Sequence, residues 1–193
     1  MRSFTRLSTA LLTATLLAGP ALAQDDLDMG ADTTPAEPQV GQTYQKEEVG
    51  DWSLDCIKTE TGEDEPCQMT QLMTQEDGNP IATAAFFKTP EGSQAVAGAT
   101  IMVPLETLLP AGLRINVDGS EDKVYNFTTC NRAGCVARVG FSQSDLNAFK
   151  AGNVANLTIR PFAAPDVDVP MTLSLSGFTA AFDKVTPAPA AQQ

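Results

Sequence analysis

"VGDWSLDCI" (49–57) alternates strictly: Trp52, Leu54 and Cys56 fall on one side of an extended chain, and Asp51, Ser53 and Asp55 on the other. A period of two marks a strand with one face buried, because successive side chains point to opposite faces. The same alternation returns further on. "GLRINVD" sets Leu113, Ile115 and Val117 against Arg114, Asn116 and Asp118, and "NLTIR" sets Leu157 and Ile159 against Thr158 and Arg160. "MTLSLSGF" repeats it with Met171, Leu173 and Leu175. "IATAAFFK" (81–88) and "ATIMVP" (99–104) are more continuously apolar, as strands covered on both faces would be. Turn clusters separate these runs: "EDGNP" (76–80), "TPEGS" (89–93) and "VDGSEDK" (117–123). The last predicts a hairpin with Asp118-Gly119 near its tip. One segment breaks the pattern. Ser142 is a good N-cap, Phe141 and Leu146 form a hydrophobic staple, Asp145 suits the first turn and Gly152 can close the end, which predicts a helix over about 142–151. The fold expected is mostly β, an antiparallel β-sandwich or partly closed barrel with one short helix.

The chain's ends read differently. Arg2 and Arg6 precede "LSTALLTATLLA" (7–18), and "ALA" (21–23) supplies small residues for a signal peptidase, so cleavage is expected after Ala23. Twelve apolar residues are too few to cross a bilayer, which takes about 20, and no later run is longer, so no membrane span is expected. "QDDLDMGADTTPAEPQVGQTYQKEE" (24–48) reads as an acidic disordered arm and "TPAPAAQQ" (186–193) as a disordered tail, leaving one β-rich domain over 49–185. Without the leader, ten Lys and Arg face 24 Asp and Glu, a net charge of −14. That argues against nucleic acid and anionic lipid as partners, since both require neutralising cations. The expected compartment is the periplasm, with outer-membrane association or secretion as further destinations.

With no histidine in 193 residues, the chain has no Ser-His or Cys-His nucleophile and no His metal ligand. Carboxylate pairs are available at Asp51/Asp55, Glu63/Asp64/Glu65, Glu121/Asp122 and Asp166/Asp168, all in patterns of solvated strand faces or turns. "DGSED" (118–122) lacks the full register of a calcium loop, and Met69 and Met73 suit core packing better than copper. No catalytic residue, metal or cofactor is therefore assigned. The four cysteines say more. The spacing of Cys56 and Cys67 does not fit a zinc site and that of Cys130 and Cys135 fits marginally, and neither pair is the Cys-x-x-Cys of thiol oxidoreductases. In an exported chain disulfides are the default. Cys130 ends one strand, "NRAG" (131–134) turns, and Cys135 begins the next, so a bridge across that hairpin is expected. Three pairings of four cysteines exist. The favoured one joins Cys56 to Cys67 and Cys130 to Cys135, closing short loops at about 3 and 2 kcal/mol of chain entropy. Arg132, a cation in the second loop of an acidic protein, is the candidate partner contact.

Taken in order, these marks resemble the invasion-associated locus B family of exported Gram-negative proteins. The likeness runs through "GDWSLDC" (50–56), "PCQMTQ" (66–71), "VPLETLLPAGLRINVDG" (103–119), "FTTCNRAGC" (127–135) and "MTLSLSGFTAAF" (171–182), nearly the whole of 49–185. One departure is Glu106, where the family pattern has a small residue, often Gly. The resemblance implies export, the fold and the two cysteine pairs, and it implies no catalytic residues. The expected function is that of a non-enzymatic periplasmic or cell-envelope protein acting by protein binding or envelope maintenance. Its partner would be a protein in the envelope or on a host cell, met at a sheet edge or at loops near Cys67 and Cys135. The alternatives are a carboxylate-dependent hydrolase acting on cell-wall sugars and a thiol oxidoreductase.

Overall fold

The computed structural model describes residues 37–74 and 80–187. The expected leader (1–23), the arm up to residue 36, most of the "EDGNP" turn and the last six residues lie outside the described residues.

Eleven strands form two antiparallel sheets among the described residues. The strands are β1 (Thr43–Val49), β2 (Trp52–Ile57), β3 (Cys67–Thr74), β4 (Pro80–Lys88), β5 (Ala97–Val103), β6 (Leu113–Val117), β7 (Lys123–Tyr125), β8 (Phe127–Asn131), β9 (Gly134–Phe141), β10 (Val154–Ile159) and β11 (Val169–Ser174). Seven of them run in the order β1-β2-β3-β4-β5-β9-β8, and four in the order β11-β10-β6-β7. Both sheets are open, so of the two expected architectures the sandwich is the one formed. The alternation sets the inner faces: Trp52, Leu54 and Cys56 of β2 are buried together with Leu113 and Ile115 of β6, Leu157 and Ile159 of β10, and Met171 and Leu173 of β11. Met69 and Met73 lie in the same core. Asp118 and Gly119 take φ of 50° and 76°, the left-handed pair of a tight turn closed by the Ser120 N–H donating to the Val117 carbonyl (3.0 Å), inside the longer loop that joins β6 to β7.

Four expectations change. The arm does not extend to residue 48, because Thr43–Val49 pairs with β2 from Thr43↔Ile57 to Val49↔Trp52. Its charged residues hid a strand that keeps Tyr44 and Val49 against the core, pairs Glu47 with Lys184 and turns Glu48 to solvent. A second helix, α2 (Phe178–Lys184), follows β11, where "GFTAAF" ends the alternating run. Strand β4 is covered on one face only: Ala82, Ala84 and Phe86 are buried, whereas Ile81, Thr83, Ala85 and Phe87 are half-buried and shielded by neighbouring strands rather than by a second layer. Helix α1 (Gln143–Ala151) has the expected capping box of Ser142 and Asp145, but Gly152 ends it at φ −79° and not in a left-handed cap. Gly152 is needed for closeness instead, since a Cβ there would stand 3.0 Å from the Ala148 carbonyl oxygen.

Both helices close the core over an aromatic cluster. Trp52 meets Phe86 and Phe178 edge-on, each with centroids 5.4 Å apart, and Phe141, Phe149 and Phe182 extend the cluster. Gln71, on the inner side of β3, links the sheets by accepting from the Ser174 N–H (2.8 Å) and donating to the Ser174 and Asp51 carbonyls (3.1 and 3.0 Å). Beside it the β1–β2 turn sits against the start of α2 so closely that a Cβ on Gly50 would lie 2.5 Å from the Ser176 carbonyl oxygen.

Candidate functional site

The structure contains both expected bridges, Cys56–Cys67 and Cys130–Cys135, and no free cysteine. Cys56 and Cys67 face each other across β2 and β3, and Cys130 and Cys135 across β8 and β9. The two bridges stand at opposite ends of the seven-stranded sheet: Cys67 opens β3 beside Thr186, while Cys135 is level with Val103 at the far end of β5.

The first bridge is flanked by a buried carboxylate that the sequence reading had placed in a solvated acidic run. The Glu65 side chain is 2% exposed and accepts from the Tyr44 hydroxyl (2.5 Å), Lys46 (2.9 Å) and Lys58 (3.2 Å). The hydrogen bond from Tyr44, and next that from Lys46, hold its carboxyl down at about 2 despite opposition from burial. The charge thus ties β1 to the loop after β2. Nothing in "GEDEP" (62–66) distinguishes Glu65 from Glu63; the cue is its place next to the cysteine that begins β3.

The second bridge pins the turn that carries Arg132. Asn131 caps the turn by accepting the Ala133 N–H (2.8 Å), and Gly134 lies against the Val103 carbonyl, leaving no space for a Cβ. Arg132 itself is exposed and joins none of the ion pairs found among the described residues. Next to it, Ala133, Leu72, Ile81, Met102 and Leu105 line an apolar groove of about 410 Å³. Leu72 and Leu105 are 59% and 49% exposed. The groove opens on the outer face of the seven-stranded sheet.

The sheet edges expected to recruit a partner strand are guarded. Strand β1 bulges between Gln45 and Glu47 and carries Lys46, Glu47 and Glu48, and β8 bulges between Phe127 and Thr129 and is tied by its disulfide. Strand β11 contains Pro170, and β7 is three residues long. These are the devices by which sheets avoid strand addition.

Among the described residues, the carboxyls whose titration shifts are Glu65, Asp118, Asp145 and Asp168, and all four shift downward. Asp118, in the former calcium-loop candidate, is lowered by the backbone N–H groups of Val154 and Asn153, so its oxygens are already in use. A catalytic acid would need the opposite shift. Among the described residues no three His, Cys, Asp or Glu side chains gather where a metal ion could sit, and no helix is long and apolar enough to cross a membrane.

Comparison with known proteins agrees with this architecture. The sequence model of the family described as "Invasion associated locus B (IalB) protein" matches residues 52–186. Two proteins of Brucella abortus, from strain 2308 and from biovar 1 strain 9-941, each described as an invasion protein B homolog, are 27% identical over 145 residues, 75% of this chain and 78% of theirs. The crystal structure of invasion associated protein B from Bartonella henselae superposes with a TM-score of 0.59 at 22% identity, over 72% of this chain and 91% of that one, a likeness of fold.

Proposed function

Because the chain belongs to the invasion-associated locus B family, we propose that it is an exported, non-enzymatic protein of the periplasm or cell envelope that acts by binding another protein. The observation that carries the reading is the end of the sheet where an exposed cation stands on a disulfide-pinned turn beside an apolar groove. A held charge next to apolar surface costs little ordering entropy on binding. The segment that fits has an apolar side chain for the groove and a carboxylate for Arg132, and in an acidic protein that cation also opposes the general repulsion of acidic partners. Export is supported by the leader pattern of residues 1–23 and by two disulfides, which persist in oxidising compartments. The relatives' names connect them with invasion; for this chain a host-cell partner is one instance of the binding role. The downward-shifted carboxyls give no support to a hydrolase.

The test is chemical cross-linking in intact cells followed by mass spectrometry, comparing the natural chain with Arg132→Glu and Leu105→Asp. Recovery of one envelope or host protein, falling about tenfold or more in both variants, is the expected result. Equal recovery from all three chains would sink the assignment of this end as the binding site.

A further inference from the structure

The outer face of the seven-stranded sheet carries charge in an unusual pattern. On β2 to β5 and β9 its outward positions include Ser53, Thr70, Ala85, Thr100, Leu72 and Met102, and the charged residues at outward positions of these five strands are Asp55 on β2 and Arg138 on β9; at the edge, Glu48 of β1 continues the row beside Ser53. For a chain of formal net charge −12 this is a nearly neutral surface. Neither Asp55 nor Arg138 is matched within the described residues. The Asp55 carboxylate accepts from the Ser53 and Thr70 hydroxyls, both at 2.6 Å, and no cation pairs with it. Arg138 is exposed and forms none of the described ion pairs.

We propose that this face is the interface of a symmetric homodimer in which Arg138 of each copy meets Asp55 of the other. The strand register supplies the geometry. Ser53, Thr70, Ala85, Thr100 and Arg138 are directly paired in one row across five strands, with β4 in the middle. At about 4.8 Å per strand, β2 and β9 lie roughly 19 Å apart, so Asp55 and Arg138 cannot pair within one copy. A twofold axis along β4 lays β2 of one copy over β9 of the other, β3 over β5, and β4 over β4. The hydroxyls of Ser53 and Thr70 draw the Asp55 carboxylate into the row that holds Arg138, so the rotation closes two identical ion pairs. Relief matches as well. Leu72 falls opposite Met102, and Gln68 falls opposite Gly98, where the Phe87 ring occupies the space of a missing side chain. Two sheets stacked with nearly aligned strands are a standard packing, and contacts that exchange between copies are what a twofold axis requires. The guarded edges favour face stacking over strand addition. The footprint, about 24 by 20 Å, is on the order of 500 Å² per copy against about 800 Å² for a tight complex, the size class of a weak, reversible dimer. Both Arg132 turns are left at the same end of the dimer, while Leu72 and Met102, which line the groove beside each turn, fall within the interface, so the dimer and a partner seated in that groove compete for this part of the face.

Sedimentation velocity on the full chain, expressed with its own leader and recovered oxidised, tests this from about 1 µM to about 1 mM. The natural chain should shift from monomer to dimer within that range. Asp55→Arg and Arg138→Asp each set like charges opposite one another and should raise the dissociation constant at least about tenfold, while their equimolar mixture restores both pairs and the dimer. Ala85→Lys, which puts two ammonium groups at the axis without touching a buried contact, should abolish dimerisation; should Asp55→Arg fail to fold, it decides together with Arg138→Asp. A natural chain that stays monomeric throughout, a mixture of folded variants that stays monomeric, or an Ala85→Lys chain that dimerises normally would each overturn the proposal.

Discussion

At the scale of single residues, two glutamates depart from ordinary preference, one in solvation and one in backbone conformation. Glu65 is a buried carboxylate held ionised by Tyr44, Lys46 and Lys58. Its folded value of about 2 lies below the ordinary 4.5, so its stabilisation is complete above about pH 4.5 and is lost as pH falls towards 2. Glu65→Gln should therefore be less stable than the natural chain near about pH 7, with the gap closing below about pH 3, as read from urea midpoints across that range. Glu106 adopts φ 68°, a left-handed backbone that costs a side-chain-bearing residue about 1 kcal/mol. The positive φ gives a physical reason for the small residue expected at this position. Glu106→Gly removes the strain but adds freedom to the unfolded chain, leaving a net gain of about 0.5 kcal/mol and a rise in Tm of about 1–2 °C in a thermal melt.

At the scale of elements, the joint between the sheets rests on one inward amide. Gln71 behaves as an extra strand residue, closing both backbone groups of Ser174 at the end of β11. Gln71→Leu keeps a similar bulk and leaves those groups unmet, so a loss of about 1–3 kcal/mol is expected from denaturant unfolding, with hydrogen exchange rising first in β11. Strand periodicity gave access to most elements because one face of each strand is buried, and that demand writes itself every second residue. Gln71 breaks the beat as a polar residue on the inner side, and only its cross-sheet partner, 103 positions away, explains it. Strand β1 escaped reading for a related cause. As an edge strand it buries little, and its charges protect the edge, so its composition matches that of a solvated arm. The disulfides were legible because both join neighbouring strands across short loops. The groove beside Arg132 was not, since it is assembled from β3, β4, β5 and the turn before β9.

At the scale of the whole molecule, the last helix completes what the first strands begin. Phe178 packs against Trp52 and Phe86 and is 1% exposed, and Ala181, Phe182 and Val185 are buried with it. Beyond the helix, Thr186 accepts the Cys67 N–H at 2.7 Å and donates its own N–H to the Cys67 carbonyl, so the segment that follows α2 is fastened to the strand that holds the first disulfide. The sandwich is therefore closed by contacts between its two ends in sequence, more than a hundred residues apart, and neither sheet has a complete core without α2. Removing everything after Ser176 should abolish the cooperative unfolding transition and leave cysteines open to thiol reagents, whereas ending the chain after Pro187 should leave both unchanged. Phe178→Ala isolates the aromatic contribution; a buried Phe-to-Ala change costs about 3–5 kcal/mol, a large part of the stability of a domain this size. If the chain ending at Ser176 still melted cooperatively with protected cysteines, the two sheets would form a sufficient core alone, and α2 would be an attachment to the fold rather than its closure.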